Sequence, residues 1–135
     1  MKAMGIDFGV RRIGVAFSDE TKFLASPFCV YARKSEEEDL NYLSSLVVSQ
    51  KVDEIVCGLP VNMEGEEGEI AKLTRDFIKK LVDKTGIKCQ FLDERLSSVL
   101  AEELLAKQEK DWRKRKQKLD AVAASIILQD YLDRR

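Results

Sequence analysis

The sequence predicts an α/β fold in which one mixed five-stranded sheet carries helices on both faces. Two observations support this prediction. The chain begins with short apolar segments of strand character, and strand-like segments then alternate with segments of helical periodicity. Strands that are joined by tight turns pair antiparallel, whereas strands that are separated by a helix pair in parallel. We therefore expect a three-strand antiparallel meander and two further parallel strands, in a single domain over residues 1–135.

The first two strands form a predicted hairpin. Residues 3–8 and 12–18 both alternate between larger apolar and small side chains, as strands with one buried face do. The three residues between them are short enough for an antiparallel connection. Asp7 interrupts the first segment and is expected to lie opposite the small residues Gly14 and Ala16 of the neighbouring strand. A third strand is expected over 28–32, after Pro27.

The middle of the chain predicts two helices and two strands. Ser35, with Glu38 three residues later, forms a capping box that begins the first helix. The apolar run "VDEIVCGLP" is typical of a strand that is buried on both faces. A second helix follows, with Ile70, Leu73 and further apolar residues at helical spacing, and it ends near Gly86. The segment "IKCQFLDER" is the predicted fifth strand.

The C-terminal part predicts two helices with a basic segment between them. One helix is expected over about 98–107 and the other over about 117–133, with Asp120 in its first turn, where the helix dipole favours a negative charge. The segment "KQEKDWRKRKQK" carries seven basic and two acidic residues. It is typical of a surface that binds nucleic acid, the alternative being a solvated linker with Trp112 in the core. Its candidate phosphate contacts are Arg113, Lys114, Arg115, Lys116 and Lys118.

Composition excludes several classes of protein and of site. No apolar run approaches the roughly 18 residues that cross a bilayer, and no signal-peptide pattern is present, so we expect a cytoplasmic protein without membrane contact. Three scattered cysteines indicate neither a disulfide framework nor a zinc site and are expected to be reduced core residues. Because the chain has no histidine, acid–base or metal chemistry must depend on carboxylates.

Three acids are candidates for a metal site: Asp7 in the first strand, Glu94 after the fifth strand, and Asp120 in the last helix. Ligands of open α/β sheets collect at the carboxyl ends of the parallel strands, where we expect these acids to converge. Carboxylate oxygens suit Mg²⁺ or Mn²⁺. Each acid also has a plain interpretation, as a turn cap, a surface charge or an ordinary helix residue.

Four other residues near these acids are candidates for phosphate contacts. Arg11 and Arg12 follow Asp7 in the expected turn, and Asn62 lies in the glycine-flanked loop after the fourth strand. Arg95 directly follows the second candidate acid. The alternative for Arg11 and Arg12 is an ordinary solvated turn, and for Asn62 it is an ordinary loop. Arg95 could instead form an ion pair with a neighbouring acid.

Four segments, in order along essentially the whole chain, resemble the YqgF/RuvX family of the ribonuclease H-like superfamily: "GIDFGVRRIGVAFSD", "VDEIVCGLPVNMEGEEG", "FLDERLSSVLAEELL" and "KLDAVAASIILQDYL". The resemblance implies a fold similar to that of the RuvC Holliday-junction resolvases. It also implies a metal-dependent nuclease in which Asp7, Glu94 and Asp120 are catalytic residues and ligands of Mg²⁺ or Mn²⁺. The family is described as processing the 5′ end of pre-16S ribosomal RNA, with junction resolution as an older assignment.

Four functions compete at this point. A ribonuclease that acts on ribosomal RNA precursors, with nucleic acid and ribosomal particles as partners, is favoured over a nuclease that cuts branched DNA. A junction enzyme should be a stable dimer. The sequence shows no helical dimer stripe, so we expect a monomer or weak dimer. An ATP-binding module of the actin and sugar-kinase type would need two such domains. A non-catalytic RNA-binding assembly factor would be expected to lose the acids.

Overall fold

The computed structural model describes residues 1–61, 64, 66–93, 103, 106–107 and 112–135, with 112–117 described as backbone only. The strands are β1 (Lys2–Phe8), β2 (Arg12–Ser18), β3 (Ala25–Ala32), β4 (Val52–Leu59) and β5 (Cys89–Asp93). The helices are α1 (Glu36–Ser49), α2 (Glu69–Thr85) and α3 (Trp112–Arg134). Residues 103 and 106–107 are helical, but the helix expected over 98–107 otherwise lies outside the described residues.

The described strands build one sheet in the order β3-β2-β1-β4-β5. β1, β2 and β3 pair antiparallel, whereas β4 pairs in parallel with both β1 and β5. The predicted meander with two parallel strands is therefore confirmed. β1 lies at the centre of the sheet, so its backbone is held by a ladder on each side.

Helices cover both faces of this sheet, as predicted. α1 and α2 pack on the face that carries the larger apolar side chains, among them Met4, Ile6, Ile13 and Val15. α3 packs on the opposite face, where the buried residues of the sheet are smaller: Ala3, Ala16 and Val56. Small side chains allow the backbone of α3 to approach the strands closely.

The signals at the helix ends act as the sequence predicts. The Ser35 hydroxyl oxygen accepts a hydrogen bond from the Glu38 amide at 3.1 Å and caps α1. α2 ends at Gly86, whose φ of 73° is left-handed, a conformation in which a side chain would be strained.

The apolar stripe of α2 is only partly buried, because Ile70 and Leu73 are 40% and 49% exposed. The spacing of the apolar residues shows that they share one face of α2. Whether each of them is buried also depends on which other elements pack against that face.

β3 begins at Ala25, three residues before the expected start, and contains Pro27. Proline has no N–H group, and strands therefore accept it at sheet edges and bulges. β3 is an edge strand, and its register with β2 shifts between Val15 and Ala16, where Pro27 pairs. The proline is thus part of the strand instead of preceding it.

α3 begins at Trp112 and not near residue 117, which corrects the sequence prediction. From residue 112 onwards, the basic segment forms the first turns of α3 and is not a connection between helices. Lysine, arginine and glutamine favour helix, and no glycine or proline separates this segment from Asp120. Asp120 therefore lies in the third turn of α3, and the helix dipole, which acts within the first turn, does not account for it.

Helix hydropathy and the state of the cysteines can also be read from the described residues. Within the described part of the chain, no helix is both long and apolar enough to cross a membrane. The three cysteines all lie among the described residues and none of them forms a disulfide; Cys57 is buried, and Cys29 and Cys89 are partly buried.

Candidate active site

Asp7 and Asp120 line one open pocket at the carboxyl end of β1. The pocket has a volume of ≈ 310 Å³, and the residues around it are Asp7, Gly9, Val10, Arg11, Arg12 and Asp120. Asp7 is partly buried, and the Asp120 side chain is 25% exposed. The first strand and the last helix thus bring two of the three predicted acids to the same space.

Gly14 allows this convergence. It lies opposite Asp7 in the ladder between β1 and β2. A Cβ atom on Gly14 would lie 1.9 Å from the Asp120 carbonyl oxygen, and real Cβ atoms essentially never approach another atom within 3.0 Å. The backbone of α3 therefore occupies the space that a side chain at position 14 would need. This contact sets Asp120 beside the strand pair that carries Asp7.

Arg12 is bound to one of the two acids. Its Nε atom donates a hydrogen bond to Oδ2 of Asp120 at 3.0 Å. Arg12 is the first residue of β2 and not part of the turn, and its side chain is 51% exposed. Arg11 precedes it in the turn and is also exposed. Both predicted phosphate contacts of this segment therefore lie at the pocket.

Arg33 supports the turn that forms the pocket wall. Its amide donates to the Arg11 carbonyl oxygen at 2.9 Å, and its guanidinium donates to the carbonyl oxygens of Gly9 and Val10 at 3.4 and 3.5 Å. The guanidinium also lies over the Phe8 ring, 4.6 Å from the centroid. No local pattern connects Arg33 with a turn this far upstream, and the sequence interpretation missed it.

Asp39 holds Arg33 in place. Its carboxylate is fully buried and accepts hydrogen bonds at 2.9 Å from Nε of Arg33 and from the Lys34 amide. Burial alone would raise the pKa of Asp39, but these hydrogen bonds, with one from Tyr31, outweigh it and lower the pKa below its usual value. Asp39 is therefore ionised at neutral pH. In the sequence it was part of an acidic block, with no sign of a structural role.

Most of the remaining predicted site side chains lie outside the described part of the chain. Asn62, Glu94 and Arg95 lie outside the described residues, as do the side chains of Arg113, Lys114, Arg115 and Lys116. Glu94 directly follows the last residue of β5, Asp93. Lys118 is exposed on α3, two residues before Asp120. The backbone of α3 thus links the predicted basic residues to the pocket.

The groups at the pocket fit a hard divalent cation. Asp7 and Asp120 offer carboxylate oxygens, the donors that Mg²⁺ and Mn²⁺ prefer. The Arg12 guanidinium on Oδ2 of Asp120 shows that a positive charge is held at this carboxylate. Among the described residues, no three acids or cysteines cluster as metal ligands. Glu94, the third predicted ligand, lies outside the described residues.

Comparison with known proteins identifies the family. The family described as "RuvX: Holliday junction resolvase" matches residues 1–134 of the chain. The chain belongs to the RuvX family. RuvX relatives named "Putative pre-16S rRNA nuclease" include a Halothermothrix orenii protein that is 46% identical over 133 residues, covering 98% of this chain and 95% of the relative. A Syntrophomonas wolfei relative of the same name is 42% identical over 133 residues, covering 98% and 94%. The predicted membership of RuvX is confirmed.

Solved structures of resolvases share the fold of this RuvX chain. Thermus thermophilus RuvC, solved with a Holliday junction substrate, has a TM-score of 0.60 at 11% identity and covers 99% of this chain and 95% of its own. The fowlpox virus resolvase, solved with Holliday junction DNA, has a TM-score of 0.57 at 14% identity and covers 99% and 98%. Identities this low show the fold alone. The predicted ribonuclease H-like fold is confirmed.

Proposed function

We propose that this chain is a metal-dependent nuclease that processes the 5′ end of pre-16S ribosomal RNA in ribosome biogenesis. The observation that carries the proposal is the shared pocket of Asp7 and Asp120 in a chain of the RuvX family. Relatives that match nearly the whole chain carry the name "Putative pre-16S rRNA nuclease". Oxygen donors and arginines at one pocket provide for a divalent cation and for a phosphate.

In this proposal Asp7, Asp120 and Glu94 hold Mg²⁺ or Mn²⁺. A bound divalent ion would supply activation of water and neutralisation of the leaving oxygen. Asp7 is well suited to hold an ion because it lies in the central strand of the sheet, and a ligand on a rigid strand is positioned more accurately than one on a loop. Asp120 is fixed by the contact between its backbone and Gly14.

The nucleic acid binds along α3 in this proposal. Arg113, Lys114, Arg115, Lys116 and Lys118 contact phosphates, and Arg11, Arg12, Asn62 and Arg95 contact the phosphates nearer the cleaved bond. Such contacts give affinity and register without reading the base sequence. Because α3 runs from its basic first turns to Asp120, a strand that follows these cations reaches the pocket.

A second candidate is a structure-selective endonuclease that resolves Holliday junctions in DNA recombination and repair. The description of the family and the resolvase-like fold favour it. Two symmetric cuts in a junction call for a stable dimer. The ribosomal RNA activity requires only a monomer or weak dimer, has ribosomal particles as partners, and takes place in the cytoplasm.

A cleavage assay separates these candidates. The purified chain is incubated with a precursor fragment that spans the 5′ end of 16S RNA, and separately with a four-way DNA junction, in Mg²⁺, in Mn²⁺ and in a chelator. We expect the RNA to be cleaved only when Mg²⁺ or Mn²⁺ is present, and the DNA junction to remain intact in all three solutions. Resolution of the junction by a dimer, with intact RNA, would favour the second candidate. Failure to cut either substrate would overturn the nuclease proposal.

A further inference from the structure

The pair of Arg12 and Asp120 joins a proposed phosphate contact to a proposed metal ligand. The Arg12 guanidinium donates to Oδ2 of Asp120 at 3.0 Å, at the rim of the pocket. A divalent ion and a guanidinium on one carboxylate repel each other over a distance of a few ångströms. An ion that takes Asp120 therefore competes with Arg12 for it.

The surroundings of Arg12 allow it to leave this carboxylate. Its side chain is 51% exposed, and exposed ion pairs of this kind are weak. The pair of Arg33 and Asp39 differs, because Arg33 is 18% exposed and Asp39 is fully buried. Arg33 is also held by the turn carbonyls, so it has a structural role. Arg12 has one acidic partner among the described residues, and that partner lines the pocket.

We propose that Arg12 couples metal loading to substrate binding. Its guanidinium neutralises Asp120 until a divalent ion takes the carboxylate, and Arg12 then binds a phosphate of the nucleic acid. This inference rests on the proposed function, since it takes Asp120 as a metal ligand and nucleic acid as the substrate. The metal-bound protein therefore has one more side chain available for a phosphate than the metal-free protein. By thermodynamic linkage, metal and nucleic acid then strengthen each other's binding.

The first test measures the affinity for Mn²⁺ by titration calorimetry. Arg12→Gln should bind Mn²⁺ about twofold to fivefold more tightly than the unsubstituted protein, because a competing cation is gone. Arg11→Gln is the matched control, since it removes the same charge from the same pocket wall without touching Asp120. Its effect should be distinctly smaller. Weaker Mn²⁺ binding by Arg12→Gln, or equal effects of both variants, would overturn the role of Arg12.

The second test measures how the affinity for single-stranded RNA depends on salt, in a chelator and in Ca²⁺, which we expect to support little cleavage. The slope of log affinity against log salt counts phosphate contacts, at about 0.7 per contact on a single strand. Arg12→Gln should lower the slope by about 0.7 in Ca²⁺ and leave it unchanged in the chelator. Arg11→Gln should lower it equally in both solutions. If Arg12→Gln lowered the slope by the same amount in the chelator and in Ca²⁺, the proposed coupling would be contradicted.

Failure of the proposed function has a different signature. If neither the unsubstituted protein nor Arg12→Gln binds Mn²⁺, then Asp120 is not a metal ligand, and both proposals fall. If the protein binds Mn²⁺, Asp7→Asn abolishes this binding and Arg12→Gln leaves it unchanged, then the metal site stands and the role of Arg12 alone is wrong.

Discussion

The Asp120 carbonyl oxygen lies 1.9 Å from the position that a Cβ atom on Gly14 would take. No side chain fits between β2 and α3 at this point. Because Gly14 also lies opposite Asp7, the height of the helix above the sheet decides how the two acids face each other across the pocket.

Gly14→Ala should therefore move α3 away from the sheet. The added methyl group meets backbone, which cannot rotate aside as a side chain can, so we expect the free energy of unfolding to fall by about 1–3 kcal/mol. Urea denaturation measures this loss, and Mn²⁺ titration should show weaker binding. Gly68→Ala is the control, since nothing lies within 4 Å of its added Cβ. As an N-cap change it should cost less than about 1 kcal/mol, and an equal loss in both variants would contradict the packing argument.

Asp7→Asn should separate catalysis from binding. The amide keeps the shape of the carboxylate but lacks its charge, and it is a poorer ligand for Mg²⁺. Cleavage should fall by several orders of magnitude, whereas RNA affinity in a chelator should persist, and the rise in Tm that Mn²⁺ produces should shrink. Asp76→Asn removes an equivalent charge from α2, which packs on the other face of the sheet, and should leave all three unchanged. Cleavage by Asp7→Asn at the unsubstituted rate would exclude the metal-nuclease assignment.

Asp39→Asn should destabilise the protein in a pH-dependent way. Removing one partner of a buried ion pair costs on the order of 3 kcal/mol. The pKa of Asp39 is lower in the folded protein, although burial opposes this shift, because hydrogen bonds from Lys34, Arg33 and Tyr31 favour the charged form. The carboxylate thus stabilises the fold above its unfolded pKa of about 3.9, and this contribution is lost as the pH falls through the lower folded value.

The measurement for Asp39 is urea denaturation of both proteins between neutral pH and about pH 2. The difference in the free energy of unfolding should be largest at neutral pH and shrink below about pH 4. Asp130→Asn makes the same change in an exposed pair with Arg134 and should cost less than about 1 kcal/mol. A difference for Asp39→Asn that does not change with pH would show that charge is not the cause.

Replacing Arg113, Lys114, Arg115 and Lys116 by alanine should weaken nucleic-acid binding and its dependence on salt. Alanine preserves the helix, so the change removes charge without removing α3. Each lost phosphate contact on a single strand should lower the log–log slope by about 0.7. Lys72, Lys79 and Lys84 on α2, replaced together, provide the control on the other side of the sheet. An unchanged slope would assign the basic segment to a solvated helix surface.

Much of the fold could be predicted because its signals are local. The alternation over residues 3–8 and 12–18, the Ser35 cap and the Gly86 stop each depend on residues a few positions apart. The family resemblance also indicated Asp7 and Asp120, and the small residues around them indicated a close approach between strand and helix.

The sequence by itself thus determined the order of the strands and helices, the mixed sheet, and the acids proposed to bind metal. Only the tertiary structure decided that Arg12 binds Asp120, and that Arg33 and Asp39 brace the pocket turn. Propensity and capping are set by neighbours along the chain. An ion pair between the first hairpin and the last helix depends on how closely two backbones pack, and that distance is set by the side chains of the whole interface.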